Sequence, residues 1–392
     1  MVQMPTHEIL RYLREHLPEM LDFLQQLVRV ETPSTVPQTH QAQFSLLADA
    51  FARLDYHVRH IPGRNTGGHL FARPRQRTPQ TSQQLLLGHA DTVWPVGTLN
   101  DMPLTIGEGV MRGPGVYDMK AGLVQILYAL RALRDLQLQP MVTPLVFINS
   151  DEEIGSREST PHIRRLARIA NRAFVCEPSL GMDGKLKTAR KGVGRFTVVV
   201  KGKAAHAGLD PGAGASAILE LSYVIQKLFA LNDPHKGITV NVGMIDGGLR
   251  PNVIAPESRA LVDVRVLTSE DARHIEEQIR ALRPVTPDIT LEIDGRINRP
   301  PMEQTPRNRA LWEIAKRLGR EIGLDLADGV AGGASDGNTT SLWTATLDGL
   351  GAVGDGAHAR HEFIYFDKLV ERGALLVLLL LAPPLTAQEG TT

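Results

Sequence analysis

The feature that most constrains the fold is a series of short, almost continuously apolar segments that alternate with helical patterns. The segments QLLLGH, TPLVFINSDEE and RAFVCEPS are typical of strands, and MKAGLVQILYALRALRDL is typical of a helix that follows a glycine-rich loop. Strands without polar alternation are buried on both faces, which favours a mostly parallel sheet flanked by helices. The sequence therefore predicts an α/β fold built on such a sheet.

Helical patterns also lie at both ends of the chain. Apolar periodicity predicts helices over residues 7–30 and about 40–55. The apolar run ALLVLLLLAPP begins at Ala374. It is far shorter than the ~20 residues that a bilayer span needs, so we expect one buried C-terminal helix.

The pattern changes near Lys191, where RFTVVVKG alternates polar and apolar residues as a half-exposed strand does. Further elements are expected in the order helix, strand, strand, helix, strand, at about 213–231, 237–246, 257–266, 268–283 and 288–295. The resulting order β-α-β-β-α-β is that of a ferredoxin-like α+β sandwich. We therefore expect a discontinuous domain of residues 1–191 and 302–392, interrupted by an inserted domain of residues 192–301.

Histidine and acidic side chains follow several of the apolar segments. They are His89 and Asp91 in GHADTVWP, Asp118 in GPGVYDMKAG, Glu152 and Glu153 in SDEEIGS, Glu177 in CEPS, and His358 and His361 in GAHARHEF. In open α/β sheets, sites form at the carboxyl ends of the strands. Imidazole and carboxylate ligands suit zinc, and a set of this size can hold two ions that share one carboxylate. Such a pair activates water and polarises a carbonyl group.

Local spacing separates the roles within this set. Asp91 lies two residues after His89, so both side chains would point the same way at a strand end, and the carboxylate could orient the imidazole. Glu152 and Glu153 are adjacent, so on an extended backbone they would point in opposite directions. One could then bind metal while the other acts as the general base.

The same segments, together with SDGN, LDGLG and GAH near the C-terminus, resemble those of the M20 metallopeptidases. The likeness is greatest to glutamate carboxypeptidases of the carboxypeptidase G2 type, and it extends in order over nearly the whole chain. It implies a zinc-exopeptidase-like catalytic domain with a mixed, mostly parallel sheet. It also implies that the inserted ferredoxin-like domain is a dimerisation domain, and hence that the protein is a homodimer.

The resemblance implies a role for each residue of the metal set. His89 and Glu177 would hold one Zn²⁺, Glu153 and His358 the other, and Asp118 both, with Glu152 as general base and Asp91 orienting His89. Two Zn²⁺ ions per subunit are thus expected, with Co²⁺ or Mn²⁺ as possible substitutes. The family pattern also implies a cis peptide bond between Asp118 and Met119.

Further residues are assigned by the same resemblance. His206 in GKAAHAG would reach the partner subunit's site and stabilise the oxyanion. Substrate contacts are implied for Asn252, Arg265, Arg299, Gly333 and Ser335, and a structural ion pair is the alternative for Arg265. Whether Lys185 or Arg250 touches substrate is left open. His358 is preferred over His361 because Glu362, four residues later, completes the family frame. Cys176 is expected to be a buried apolar residue.

The expected reaction is metal-dependent hydrolysis of the amide bond to a C-terminal amino acid, with glutamate as the leaving residue, in N-acyl or peptidyl substrates. One alternative is a deacylase of N-acyl amino acids, similar to acetylornithine deacetylase or succinyl-diaminopimelate desuccinylase. A second alternative is a non-catalytic, metal-binding interaction protein. The presence of Glu152 argues against it, since a decayed enzyme would be expected to lose its base.

Charge and cysteine content restrict the partners and the compartment. Lys plus Arg and Asp plus Glu each number 43, so there is no basic excess for nucleic acid. The chain has a single cysteine, which favours a reducing compartment. The first twenty residues are polar and charged, unlike a signal peptide. We expect a cytoplasmic enzyme that binds neither membrane nor nucleic acid and acts on a small substrate with a free C-terminal carboxylate.

Overall fold

A computed structural model describes residues 5–76 and 82–386. The chain divides into two compact units. The larger falls within Met1–Thr188, Gln304–Val330 and Ser335–Thr392, and the smaller comprises Ala189–Glu303 and Ala331–Ala334. None of the helices in residues 5–76 and 82–386 combines the length and the apolar composition that a bilayer span requires.

Helices and strands follow one another along the described residues of both units. The helices are α1 (Thr6–Glu15), α2 (Leu17–Arg29), α3 (His40–Ala52), α4 (Thr98–Asp101), α5 (Ala121–Asp135), α6 (Thr160–Ala167), α7 (Ala217–Phe229), α8 (Ser269–Arg280), α9 (Pro306–Glu321), α10 (Asp336–Thr340) and α11 (Asp367–Leu381). The strands are β1 (Tyr56–Ile61), β2 (His69–Pro74), β3 (Gln83–His89), β4 (Thr105–Gly107), β5 (Val110–Arg112), β6 (Thr143–Asn149), β7 (Ala170–Val175), β8 (Leu186–Arg190), β9 (Gly192–Lys201), β10 (Thr239–Gly247), β11 (Glu257–Val266), β12 (Thr290–Arg299), β13 (Asp328–Ala331), β14 (Ala345–Leu347), β15 (Gly354–Asp355) and β16 (Phe363–Tyr365).

The central sheet of the larger unit has the strand order β1-β2-β6-β3-β7-β14. The pairs from β6 to β14 are parallel, and β1 and β2 add two antiparallel pairs at one edge. In β3, Leu86 belongs to the apolar cluster that contains α5 and α11, whereas Leu85 and Leu87 belong to the cluster that contains Ile163 of α6. The sheet is therefore covered on both faces, and the predicted mixed, mostly parallel α/β fold is confirmed.

The N-terminal helical pattern forms two helices, α1 and α2, with a break at His16, so the expectation of one continuous helix was wrong. Pro18 stands in the first turn of α2. Proline lacks an N–H and its ring clashes with the carbonyl group four residues earlier, so a helix cannot run through this position undisturbed. The predicted C-terminal helix is confirmed as α11, whose residues Leu375–Leu380 are completely buried.

The smaller unit has the predicted element order, from β9 through α7, β10, β11 and α8 to β12. Its sheet is antiparallel throughout, in the order β10-β11-β9-β12, as in a ferredoxin-like sandwich. Two helices begin at hydroxyl N-caps, where Ser216 and Thr268 accept hydrogen bonds from backbone N–H groups. Apolar residues from the inner faces of the strands and helices form its core.

Candidate metal centre

The ends of three parallel strands bring the first polar residues together. His89 is the last residue of β3 and pairs with Asn149, the last residue of β6. Leu87 pairs with Val175, the last residue of β7. The segments that follow these strands carry Asp91, Glu152 and Glu153, and Glu177, so they leave the sheet at one edge, as the sequence predicts.

His89 is buried, and its two ring nitrogens face different partners. Nδ1 lies 2.9 Å from the carbonyl oxygen of Asp91 and 3.4 Å from its carboxylate. Nε2 lies 3.2 Å from Asp118 Oδ1 and 3.4 Å from Glu177 Oε1. With acceptors on Nδ1, the neutral ring would carry its proton there and leave the Nε2 lone pair directed at the carboxylates.

Asp118 faces both histidines with different oxygen atoms. Its Oδ1 lies 3.2 Å from His89 Nε2 and its Oδ2 lies 3.4 Å from His358 Nε2. The peptide bond between Asp118 and Met119 is cis, as the family resemblance implied. Just before it, Gly115 has φ 72°, and a Cβ there would lie 2.5 Å from a methyl group of Thr92, so glycine is required. This loop therefore places one carboxylate between two imidazoles.

His358 approaches from a separate loop. It has φ 61°, a left-handed conformation that is uncommon for residues other than glycine and is found at functional sites. Its Nε2 lies 3.1 Å from Glu153 Oε2. The competing histidine, His361, is exposed, with its Nε2 4.0 Å from Asp355 Oδ2. The geometry thus favours His358 as the member of the cluster.

Glu152 and Glu153 lie in a turn, so the expectation that they lie on an extended backbone was wrong. The buried carboxylate of Asp91 holds this turn. Its Oδ1 accepts the backbone N–H of Glu152 at 3.2 Å, and its Oδ2 accepts the N–H of Glu153 at 3.1 Å and the hydroxyl of Ser34 at 2.7 Å. The chain can turn after β6 because the N–H groups of Glu152 and Glu153, which no longer pair with a strand, donate to the Asp91 carboxylate instead.

Two overlapping groups of potential metal-ligand atoms result. In one, atoms of His89, Glu152 and Glu177 lie within 4.8 Å of one another. In the other, atoms of His89, Asp118 and Glu153 do so. Glu153 Oε1 is buried and has no hydrogen-bond partner. A buried carboxylate oxygen is costly without a partner, so this donor set fits a bound cation.

Burial and neighbouring carboxylates together shift the pKa values of the cluster. Hydrogen bonds to Asp118 and then to Glu153 raise the pKa of His358 to about 10. Burial alone would lower the pKa of His89, but its bonds to the carboxylates, with Asp118 first, raise that pKa well above its usual value. Burial, and then the charge of Asp118, raises the pKa of Glu153 to about 7. The raised pKa values mean that His89, Glu153 and His358 hold protons in the absence of metal, and a divalent cation would displace these protons on binding.

In the smaller unit, the segments that carry His206 and Asn252 lie side by side although they are far apart in the sequence. The N–H of Ala207 donates to the carbonyl oxygen of Asn252 at 3.0 Å. His206 is exposed, and its Nδ1 accepts the N–H groups of Gly208 and Leu209, each at 3.1 Å. The neutral ring therefore carries its proton on Nε2, where it can be donated.

The cations expected to bind substrate have different surroundings. Arg265 forms a two-point ion pair with Asp263, with Nε–Oδ2 at 2.8 Å and Nη2–Oδ1 at 3.4 Å. This is the structural ion pair that was the alternative for this residue. Arg299 is partly buried at the end of β12. Lys185 pairs with Asp183 at 3.0 Å, and Arg250 is exposed. Contact of Arg265 and Arg299 with substrate stays a prediction, and that of Lys185 and Arg250 stays an open question.

The remaining expected residues have structural uses. Ser335 is buried and begins α10, where its hydroxyl accepts the N–H of Gly337 at 3.0 Å and donates to Asp348 at 2.5 Å. The carbonyl oxygen of Gly333 accepts a hydrogen bond from Arg190 at 3.2 Å. For both, contact with substrate stays a prediction. Cys176 is buried, and burial raises the pKa of its thiol.

One important residue received no role from the sequence. Glu362 is completely buried, and its carboxylate accepts hydrogen bonds from the loop that carries Asp118. Burial raises its pKa to about 7, while these bonds favour the ionised form. The sequence signal for it was its position four residues after His358, where it completes the family frame without a role of its own.

Comparison with known proteins agrees with this geometry. Peptidase family M20/M25/M40 matches residues 85–382. The chain is 26% identical over 364 residues to carboxypeptidase G2 of Pseudomonas sp. strain RS-16, covering 91% of this chain and 87% of that protein. It is 28% identical over 306 residues to acetylornithine deacetylase of Myxococcus xanthus, covering 74% and 77%.

A solved structure shows the same fold. Aminopeptidase PepT of Bacillus cereus superposes with a TM-score of 0.78 at 20% identity, covering 93% of this chain and 98% of that one. The family match spans more than half of the chain. The chain therefore belongs to peptidase family M20/M25/M40. It is a hydrolase of a metallopeptidase family, and this family implies divalent metal binding and peptide-like substrates.

Proposed function

We propose that this M20-family hydrolase is a di-zinc exopeptidase that removes a C-terminal amino acid, with glutamate as the leaving residue, from N-acyl or peptidyl substrates. The observation that carries the proposal is the placement of Asp118, whose two oxygens face His89 and His358 separately. Each histidine also lies beside a further carboxylate, that of Glu177 or Glu153. Two ions that share one carboxylate need this type of ligand set.

The chain offers a complete ligand set for the two ions. His89 and Glu177 would hold one Zn²⁺, Glu153 and His358 the other, and Asp118 both. When bound, the ions would polarise the amide carbonyl and lower the pKa of water, and Co²⁺ or Mn²⁺ could take their place. The orphaned Oε1 of Glu153 supports this assignment, because it gains a partner only when a cation or proton arrives.

The proton transfers belong to Glu152. Its carboxylate would accept a proton from the attacking water and then deliver it to the nitrogen of the leaving amine. Asp91 serves this step indirectly, since its carboxylate holds the turn that carries Glu152. His206 of a second copy would donate its Nε2–H to the oxyanion that develops on the carbonyl oxygen.

Recognition of the substrate carboxylate is assigned to Arg299 and Asn252. A guanidinium fork matches a carboxylate with two parallel hydrogen bonds. Arg265 would contribute only if its ion pair with Asp263 opened. Gly333 and Ser335 would line the same subsite. The similarity to carboxypeptidase G2 supports a C-terminal amino acid as the leaving group.

A second candidate function is deacylation of N-acyl amino acids. The similarity to acetylornithine deacetylase favours it. Both reactions hydrolyse an amide bond, so the metal centre and Glu152 would have the same roles. The two functions differ only in the specificity pocket, which selects the acyl group and the leaving amino acid.

A substrate panel tests the proposal. N-acyl-glutamates, folate-type conjugates and N-acetyl amino acids, including N-acetylornithine, are compared by kcat/KM. We expect the glutamate conjugates to be preferred, and Arg299→Ala to raise KM for the free acid but not for its C-terminal amide. Preference for N-acetylornithine would establish the deacylase instead. Hydrolysis of none, with metal bound, would favour the non-catalytic alternative.

A further inference from the structure

One buried carboxylate joins the loop that carries Asp118 to the loop that carries His358. Glu362 Oε1 accepts the backbone N–H groups of Tyr117 at 2.9 Å and Asp118 at 3.0 Å. Its Oε2 accepts the N–H of Gly115 at 2.9 Å and the indole N–H of Trp94 at 2.8 Å. Four donors converge on one side chain, and only an ionised carboxylate can accept all of them.

The backbone of Glu362 fixes the His358 loop at the same time. The N–H of Ala359 donates to the carbonyl oxygen of Gly356 at 2.8 Å, and the N–H of Glu362 donates to that of Ala359 at 3.0 Å. A Cβ at Gly356 would lie 2.8 Å from the backbone of Glu362, so the loop folds tightly on itself. His358 thus lies only four residues before Glu362, in the same tight turn, and Glu362 is the residue that anchors the Asp118 loop.

The other metal position shares Asp118, but its two remaining ligands do not depend on this link. His89 ends β3 and Glu177 follows β7, so the central sheet itself places both. Glu153 is held by Asp91. Loss of the Glu362 carboxylate would therefore affect mainly the spacing between Asp118 Oδ2 and His358 Nε2, which is 3.4 Å.

We propose that Glu362 is a positioning residue that sets the spacing of Asp118 and His358 and so controls the affinity of one of the two metal positions. That position is the one assigned to Glu153, Asp118 and His358, and the inference rests on the proposed di-metal function. Residues behind metal ligands commonly act in this way, and their loss costs ~10–100-fold in metal affinity.

Glu362→Gln tests the link. The amide replaces one acceptor oxygen by an NH₂ group, so two of the four N–H donors lose their acceptor whichever way the amide turns. We expect one zinc equivalent to bind ~10–100-fold more weakly and the other to be little changed. The measurement is a competitive zinc titration of the metal-stripped, full-length protein, with the metal content checked by elemental analysis.

A matched control lies in the smaller unit. Glu220 is also buried, and its carboxylate accepts the backbone N–H groups of Val285 at 3.0 Å and Thr286 at 2.8 Å. Glu220→Gln imposes the same loss of an acceptor away from the metal ligands, so both zinc affinities should stay at the wild-type value. Trp94→Phe removes only one of the four donors to Glu362 and should weaken zinc binding at the same metal position by a smaller factor. If Glu362→Gln does not fold, this variant is used for the measurement instead.

The outcomes separate the two proposals. Selective weakening of one zinc position in Glu362→Gln or Trp94→Phe supports the role of Glu362. Unchanged affinities, or equal weakening of both positions, in a folded variant would overturn it and leave the proposed function standing. A wild-type protein that binds no zinc would overturn both. A purely structural role would lower the unfolding temperature without separating the two affinities.

Discussion

At the residue scale, Asp91 contacts more of the metal centre than its expected role requires. Orientation of His89 was predicted from the spacing, and Nδ1 of that ring does face Asp91. The carboxylate also accepts the backbone N–H groups of Glu152 and Glu153. One buried acid therefore connects a proposed ligand to the proposed general base, and the adjacent glutamates diverge because of the turn it holds.

We predict that Glu152→Gln keeps its bound metal and loses activity by a factor of ~10²–10⁴ or more, because the amide cannot accept the proton of water. The measurement pairs kcat with the metal content of the same sample. Glu371→Gln, on the partly exposed face of α11, should match the wild type in both. Loss of metal from Glu152→Gln would make Glu152 a ligand, which its closeness to His89 and Glu177 also allows.

At the element scale, the strands and the buried helix follow from the sequence, whereas the loops between them do not. Continuous apolar segments predict β3, β6 and β7, and parallel pairing then brings His89 and Glu177 together. The Asp118 loop is held by Glu362, which lies 244 positions away. Local sequence patterns cannot predict a hydrogen bond between residues so far apart in the chain. The break between α1 and α2 was readable, since Pro18 marks it.

The buried helix α11 gives a stability prediction. Leu376 is completely buried in the cluster that contains α5, so Leu376→Ala leaves a cavity and should cost ~2–5 kcal/mol of unfolding free energy. Lys368→Ala on the exposed side of the same helix removes only a surface ion pair and should cost less than ~1 kcal/mol. Urea denaturation measures both. Equal effects of the two substitutions would show that α11 is not a core element.

At the scale of the whole molecule, the smaller unit presents features of an interface. Its edge strand β10 exposes Met244 and Ile245, at 67% and 66% of their surface, and α7 exposes Leu219 and Tyr223. An edge strand also offers unpaired backbone groups to a second chain. These features support the proposal that the unit mediates a homodimer, in which two-fold symmetry places identical surfaces together.

We predict that two inactive variants, Glu152→Ala and His206→Ala, restore activity when they are refolded together. About half of randomly paired dimers would be mixed, and each would hold one site with both defects and one with neither, so about a quarter of wild-type activity should return. Each variant refolded alone is the control. No gain, with subunit exchange confirmed by mass spectrometry, would mean that His206 does not serve the site of a second copy.

The central claim is that this hydrolase works through a metal pair held by two histidines and three carboxylates of one chain, with Glu152 beside them as the general base. The most direct test strips the metal with a chelator, returns zinc in steps, and follows bound zinc and peptide hydrolysis in the same samples. We predict no activity in the stripped protein and full recovery as bound zinc approaches about two equivalents per chain. Full activity in protein that elemental analysis shows to be free of metal would contradict the account.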